Sequence, residues 1–290
     1  MSPLLRTSAC SAVTVAFLAA SGPARAADAR SMPAVASAAP LVVCADPNNM
    51  PYSNVHGEGF ENRIAHIVGD DLHVPVMFEW SEQRRGFLRR SLNADACDLM
   101  LDVPAGLEGA RTLAPVWSST YVFLTRRDRH VHLAGFDDPA LKDLRIGVQA
   151  VGADNYNTPP SEALALRGIV QHVQGYPMTD VSSVEDPVAR MVDDVAAGNL
   201  DVAILWGPFA GWFAKAHGDE LEVVPVAADA RQPGLAFAYT MAPAVRRGHD
   251  ELAARVQDAF QRHAAEIRAV IAAYGVPLVA PPAAQVAASP

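Results

Sequence analysis

LVVCADPNNMPYSN, residues 41–54, changes from apolar to polar at one point, and the fold of the chain is organised around that change. Its first part, Leu41 to Ala45, contains two valines and is typical of a short strand buried on both faces. The Asp-Pro-Asn-Asn sequence that follows ends the strand with turn-forming residues, and Pro51 keeps the chain out of helix. The stretch therefore predicts a first strand followed by a polar loop.

A helix is predicted directly after this loop. From Phe60 to Leu72 the apolar residues recur at spacings of three and four, which is the period of an amphipathic helix. A strand, a loop and a helix in this order place the loop at the carboxyl end of a sheet strand. In open α/β sheets that is the edge where ligands bind.

The length and composition favour a large globular protein. The chain has 290 residues, of which 50% are hydrophobic and 19% are charged. These values allow a sizeable core and either one large domain or two lobes. They exclude a disordered or fibrous protein.

The first 26 residues have the pattern of a cleavable export signal. Arg6 precedes a short apolar run at 9–20, and Ala24-Arg25-Ala26 provides small residues at the cleavage site. The run is shorter than the ~18 residues that a membrane span needs. We expect an exported protein that does not span a membrane, with flexible segments at 27–40 and 280–290, both rich in Ala, Ser and Pro.

The charge of the mature chain argues against nucleic acid as a partner. The full sequence has 23 basic and 32 acidic residues, a net charge of −9. Removing Arg6 and Arg25 with the signal leaves 21 basic against 32 acidic residues, a net charge of −11. A solute or a neutral or basic protein is the more plausible partner.

Two cysteines are left once the signal, which contains Cys10, is removed. Cys44 lies in the first strand and Cys97 opens the predicted strand at 98–103. In the 2-1-3 strand order of such sheets these strands are neighbours, so we predict a Cys44–Cys97 disulfide in the oxidising compartment outside the cytoplasm. The alternative is two separate buried thiols.

Apolar strand patterns alternate with helical patterns along the rest of the chain. Strands are predicted at 74–80, 98–103, 121–125, 144–149, 201–205, 221–226 and 234–241. Helices are predicted at 86–94, after Thr158, and at 187–197, 209–217, 250–263 and 264–274. This alternation predicts an α/β protein with two lobes, each a mainly parallel sheet flanked by helices. Lobe 1 is predicted to comprise 41–128 and 231–279, lobe 2 to comprise 129–230, and a cleft to lie between them.

Several motifs in one order resemble a known family. They are CADPNNMPYSN (44–54), GEGFEN (57–62), QRRGFLR (83–89), LRIGVQ (144–149), NTPP (157–160), DVAILWGPFAGWFA (201–214) and YGVPLV (274–279). Together they resemble the solute-binding-like proteins associated with quinoprotein methanol dehydrogenases, the MoxJ/XoxJ type, within the type II periplasmic binding proteins of solute-binding family 3. The resemblance implies a periplasmic accessory protein of a pyrroloquinoline-quinone (PQQ) dehydrogenase, acting in its maturation or activation.

The sequence departs from transport relatives of this superfamily at one position. Amino-acid-binding members typically have an acidic residue after the strand that begins at Asp201, where it holds the ligand's ammonium group; here the residue is Trp206. Arg111 is the candidate for the arginine that pairs with the ligand carboxylate. One of the two charged groups with which those members bind an amino acid is therefore missing. A smaller departure is Asp102, where the narrower family more often has glycine.

Polar residues after the first two strands are candidates for contacts in the cleft. Asp46, Asn48 and Asn54 follow the first strand, although these residue types are also ordinary in turns. Arg84 and Arg85 follow the second strand, where a guanidinium group can bind a carboxylate or the acidic surface of a partner. The alternative for both arginines is a solvated charge or a surface ion pair.

Candidates in the second lobe are Asn157, Thr158 and Trp206. Thr158 is the predicted cap of a helix that begins with two prolines, and its free amide groups are a candidate anion site; the alternative is a capped helix that binds nothing. Trp206 lies at a strand's carboxyl end and is predicted to wall the cleft, whereas Trp212 and Phe213 favour packing.

No catalytic, metal-binding or cofactor motif is present in the sequence. The nine histidines lack metal-ligand spacing, and His130 and His132 read as surface residues beside a charged segment. Two other functions are left open. One is a receptor of an ABC importer for a small polar or anionic solute, and the other is a dehydratase acting on a small carboxylic acid, with Asp46, Glu61 or Glu108 as its acid.

Overall fold

The computed structural model describes residues 39–83, 85–151, 156–177 and 186–282. The predicted export signal, most of the lead-in at 27–40, Arg84 and the end of the tail lie outside these residues. No helix in the described part of the chain is long and apolar enough to cross a membrane.

Thirteen strands lie in the described residues. Their bounds are β1 Leu41–Ala45, β2 Asn48–Asn49, β3 Ser53–Asn54, β4 Val76–Trp80, β5 Leu99–Pro104, β6 Arg111–Thr112, β7 Trp117–Arg126, β8 Ile146–Val151, β9 Tyr156–Asn157, β10 Val173–Pro177, β11 Val202–Trp206, β12 Leu221–Pro225 and β13 Ala238–Val245.

Seven α-helices flank these strands within the same part of the chain. Their bounds are α1 Phe60–Leu72, α2 Phe87–Arg90, α3 Pro159–Leu166, α4 Pro187–Ala196, α5 Gly207–Ala214, α6 Asp250–Arg262 and α7 Ala264–Ala273.

The sheet order defines two lobes. In the first lobe β4, β1 and β5 are parallel neighbours and β13 runs antiparallel to β5. In the second lobe β10, β8 and β11 are parallel neighbours and β7 runs antiparallel to β11. The predicted α/β architecture is confirmed, with three parallel strands at the centre of each lobe; the pairing of β7 with β13 joins the two sets into one mixed sheet of eleven strands. The residue boundaries predicted for the lobes stay a prediction.

Strand β7 is shared by both lobes. Its first four residues, up to Thr120, pair with β13, and the rest, from Tyr121, pair with β11 and β12. The prediction placed this strand at 121–125, and the structure adds the hydroxyl residues Ser118, Ser119 and Thr120 before that range. Those hydroxyls are buried but bonded: Ser118 to Thr240 at 2.9 Å, Ser119 to the carbonyl of Pro277 at 2.8 Å and Thr120 to that of Phe237 at 3.1 Å. Because each hydroxyl has a partner, a buried strand tolerates it.

Two other predicted elements differ from the structure. The helix predicted at 86–94 is the short α2 followed by a 3-10 turn, Leu92–Ala94, because the chain leaves helical geometry at Ser91, with φ −104° and ψ −89°. The Ser91 hydroxyl donates to the Phe87 carbonyl at 2.7 Å. The strand predicted at 234–241 begins later and continues past Pro243, which lies at a register shift between Ala242 and Ala244. A proline without an N–H is tolerated at such an irregularity.

Cys44 and Cys97 form the predicted disulfide, with Cα atoms 5.4 Å apart. The strand order β4-β1-β5 is the 2-1-3 arrangement on which that prediction rested. Both cysteines are buried in a small apolar cluster with Phe87 and Leu92. The bond therefore ties the first strand to the segment that enters β5.

Candidate functional site

The carboxyl ends of the parallel strands face the cleft, and the loop after β1 lines it from the first lobe. The side chain of Asp46, which is buried, accepts the N–H of Asn48 at 2.9 Å and that of Gln83 at 2.6 Å. Asp46 therefore holds the loops after β1 and β4 together.

The other two candidates of this loop have local partners. Asn48 is exposed and pairs with Asn54 in the β2–β3 ladder. Asn54 is buried; its amide donates to Glu58 at 2.7 Å, and its oxygen accepts the N–H of Glu58 at 3.0 Å. All of these side-chain bonds shape the loop itself. A role for the three residues in ligand contact stays a prediction.

Two of the three arginine candidates, Arg85 and Arg111, lie in the described residues. Arg85 is exposed in the turn before α2, and its carbonyl accepts a hydrogen bond from Arg90 at 2.7 Å. Arg111 forms an ion pair with Asp250 at the start of α6. Arg111 pairs with Val245 of β13. On its other side Val245 pairs with Leu99, the first residue of β5. Arg111 thus lies at the amino edge of the strands, opposite the edge that faces the cleft.

Thr158 is buried at the start of α3, as predicted for a cap residue, but its hydroxyl donates to the carbonyl of Gln149 at 2.8 Å and does not cap the helix. The next two residues are prolines without an N–H, and the N–H of Glu162 donates to the carbonyl of Thr158. The first turn therefore offers an anion at most the N–H of Ser161. Asn157 pairs through its backbone with Ala150, and its side chain lies outside the described residues.

Trp206 is the predicted candidate that the structure places between the lobes. It is the last residue of β11, and its backbone N–H donates to the side chain of Gln149 at 2.7 Å. Its indole N–H donates to the hydroxyl of Tyr52 at 2.6 Å. Because Tyr52 belongs to the first lobe, this bond joins the two lobes directly. The indole also contacts the rings of Tyr121 and Tyr239, at 5.4 and 5.7 Å between centroids.

Tyr52 was missed by the sequence reasoning. It is 7% exposed, and its ring centroid lies 4.8 Å from that of Phe60, 5.6 Å from Phe209 and 6.5 Å from Trp117. We call Tyr52, Phe60, Trp117, Trp206 and Phe209 the aromatic cluster. It draws on both lobes, and burial of Tyr52 within it raises the pKa of the hydroxyl well above its ordinary value.

Two carboxyl groups adjoin the aromatic cluster. Glu61 on α1 is 3% exposed, and Asp102 on β5 accepts the indole N–H of Trp117 at 2.5 Å. The second carboxylate oxygen of Asp102 is shielded from solvent and has no hydrogen-bond partner among the described residues. No basic side chain in the described part of the chain forms an ion pair with either group.

Burial determines the protonation of this pair. It raises the pKa of Asp102 to about 7, against the opposing effect of the bond from Trp117. Burial, and next the negative charge of Asp102, raise the pKa of Glu61 well above its ordinary value. Two carboxyl groups that disfavour each other's ionisation hold a proton near neutral pH.

One signal in the sequence pointed to this pair. Asp102 is a charged residue inside an apolar strand, and it departs from the family pattern. Glu61 gave no such signal, because an acid in the first turn of a helix is ordinary. Within the described residues no group of three or more His, Cys, Asp or Glu side chains is placed to hold a metal ion.

The two-lobed fold with its interlobe contact defines the class of type II periplasmic binding proteins. No family model matches the chain. The crystal structure of the periplasmic binding protein XoxJ from Methylobacterium extorquens AM1 superposes with a TM-score of 0.67 and 33% sequence identity, over 83% of this chain and 99% of that one. MxaJ from Methlophaga aminisulfidivorans MPT superposes with a TM-score of 0.70 and 25% identity, over 82% of this chain and 100% of that one.

A relative found by sequence agrees with these structures. Protein MoxJ of Paracoccus denitrificans is 28% identical over 274 residues, which cover 89% of this chain and 96% of the relative. The chain belongs to the MoxJ/XoxJ family of periplasmic binding proteins.

Proposed function

We propose that this chain is a periplasmic accessory protein of a PQQ-dependent methanol or alcohol dehydrogenase, and that it aids maturation or activation of that enzyme through protein–protein contact. Membership of the MoxJ/XoxJ family supports the proposal. The structural observation that supports it most is the hydrogen bond between Trp206 and Tyr52. Through this bond the two lobes bind each other with side chains that a solute receptor would use to bind its ligand.

This bond argues against a solute receptor of an importer. Receptors of this class close their lobes around a ligand, whose contacts supply the free energy of closure. Here an indole stands where a ligand's ammonium group would need an acid, and its N–H is used by Tyr52. A solute would have to break this bond and displace buried aromatic rings. We therefore propose that the lobes act as one docking body.

The same arrangement supports a non-enzymatic role. Glu61 and Asp102 have the raised pKa that a dehydratase acid needs, but Glu61 is buried, and Asp102 is bonded to Trp117 of the aromatic cluster. Of the other two candidate acids, Asp46 holds two loops together and Glu108 is exposed in the loop after β5.

A gene-replacement experiment in the native organism tests the accessory role. Cells that lack the chain are expected to export dehydrogenase polypeptide with reduced activity or reduced quinone content, and the mature chain is expected to restore both. Unchanged activity, quinone content and stability of the enzyme in the deleted strain would refute the proposal.

A further inference from the structure

A groove in the second lobe lies away from the cleft. It has a volume of about 340 Å³; one wall is formed by Leu141, Lys142 and Leu144, and the other by the loop 167–173. Both walls precede parallel strands, β8 and β10, so the groove opens at the amino edge of these strands. The cleft lies at the opposite edge, where β11 ends at Trp206.

Two large apolar side chains in or next to the lining of the groove are unusually exposed. Val170 is 63% exposed and Leu166, at the end of α3, is 56% exposed, the two highest values among large apolar side chains in the described residues. Nearby Leu141 and Ile169 are buried. Exposed apolar side chains that adjoin a concave surface are typical of a site that another molecule covers.

The lining of the groove includes one lysine without a partner among the described residues, although the chain as a whole is acidic. Lys142, Arg167 and His172 line it, and no acidic residue is among the described residues of the lining. Arg167 is already neutralised by Asp137 at 2.8 Å and Asp229 at 2.8 Å. Lys142 is exposed and its ammonium group bonds to no described residue. Lys142 is therefore the cation that the groove can offer to a ligand.

His172 stands across the groove from Lys142. It has a backbone φ of 69°, in the left-handed region that few non-glycine residues adopt, and its carbonyl accepts the N–H of Ile146 at 2.8 Å. This bond ties the loop 167–173 to the start of β8.

We propose that this groove docks a segment of a partner polypeptide that carries an apolar side chain next to a carboxylate side chain. The apolar side chain occupies the depression beside Leu166 and Val170, and the carboxylate pairs with Lys142. Charge complementarity selects an acidic segment, and the open shape selects a protruding side chain over an enclosed solute. The inference goes beyond the dehydrogenase-linked function, because it does not depend on which protein presents the segment.

Two blocked peptides test the proposal without any dehydrogenase. One has the sequence acetyl-Gly-Leu-Glu-Gly-amide, and the matched control replaces its Glu with Gln. Methyl signals of Leu141, Leu166 and Val170 are expected to shift on addition of millimolar Glu peptide, and the Gln peptide is expected to bind about two- to fivefold more weakly, the worth of one exposed ion pair. Absence of shifts in these methyl groups overturns the proposal, and equal shifts with both peptides overturn its charge selection.

Variants of exposed residues separate the two parts of the site. Lys142→Met is expected to abolish the difference between the peptides, and Lys142→Arg to keep it. Val170→Asp is expected to abolish binding of both, since it places a negative charge in the apolar part. Retention of the difference in Lys142→Met would contradict the assignment.

Carbodiimide coupling gives a second, covalent readout. The reagent activates the peptide's Glu, which then forms an amide with a nearby amine, and the sequence has two lysines, Lys142 and Lys215. Lys215 donates to the carbonyl of Ala273, far along the chain from the groove. Coupling is expected at Lys142; coupling at Lys215 with none at Lys142 would contradict the proposal.

Discussion

The indole N–H of Trp206 donates to the hydroxyl of Tyr52 over 2.6 Å, and this bond joins the second lobe to the first. The two residues are 154 positions apart in the sequence. Tyr52 is held by rings of its own lobe, and Trp206 by Tyr121 and Tyr239. The bond therefore connects two aromatic groups that are each fixed in place.

Tyr52→Phe tests the strength of this connection. It removes the acceptor and leaves a buried indole N–H without a partner, so we expect a loss of about 1–3 kcal/mol in the free energy of unfolding, measured by urea denaturation. Tyr239→Phe is the matched control, because Tyr239 also contacts Trp206 but its hydroxyl bonds to the Ala236 carbonyl near the surface. Equal losses in the two variants would show that the interlobe bond contributes no more to the free energy of unfolding than the hydroxyl of Tyr239 does.

Asp102→Asn is expected to change the pH dependence of stability. The folded state raises the pKa of Asp102 to about 7, so it keeps a proton that the unfolded chain releases near pH 4. The stabilisation is complete below about pH 4, falls as the pH rises and is lost above about pH 7. The variant has no such group. As the pH rises from about 4 to about 7, its free energy of unfolding should therefore increase by a few kcal/mol relative to that of the wild type.

Thermal unfolding at a series of pH values measures this difference. Glu108→Gln is the control, because Glu108 is an exposed acid just after the same strand. A difference between wild type and Asp102→Asn that is constant from pH 4 to pH 8 would contradict the assignment of the buried proton.

The Cys44–Cys97 bond is expected to contribute about 4 kcal/mol to stability. It closes a loop with a sequence separation of 53, and the entropy that it removes from the unfolded chain scales with the logarithm of that length. A reductant should lower the denaturation midpoint of the wild type and leave the Cys44→Ala/Cys97→Ala double variant unchanged. Detection of two free thiols in the denatured, unreduced mature chain would contradict the bond.

Gly211→Ala tests the packing of α5 on the end of α7. A Cβ at Gly211 would lie 1.8 Å from the carbonyl oxygen of Gly275, a backbone atom that cannot move alone. We expect a loss of about 1–3 kcal/mol or more, read from the midpoint of urea denaturation. Gly234→Ala is the control, since its Cβ would meet no atom within 4 Å. A neutral Gly211→Ala would mean that the two helices are not in close contact.

The local elements could be predicted from the sequence because their signals are local. The apolar run at 41–45, the turn formers after it and the periodic residues to Leu72 correctly predicted β1, the loop and α1. The disulfide followed from the strand order. The predicted strand at 121–125 was too short at its start, because Ser118 and Thr120 belong to it and their hydroxyls bond to the Thr240 side chain and the Phe237 carbonyl.

The site was less predictable, because its contacts join distant parts of the chain. The position of Trp206 after β11 indicated a cleft residue, but nothing local identified Tyr52 as its partner. Similarly, Asp102 stands out as an acid inside an apolar strand and Glu61 does not, and their effect on each other appears only when α1 packs on β5. The pattern and spacing of apolar residues predict which face of a helix or strand a residue occupies. They do not predict which residue of another element contacts that face.

The most direct test of the accessory role is gentle purification of the tagged mature chain from its native periplasm, followed by native mass spectrometry. The account predicts a complex with a PQQ-dependent methanol or alcohol dehydrogenase and no small molecule bound to the chain. A chain that carries a bound metabolite and never copurifies with the dehydrogenase would contradict it and favour a solute receptor.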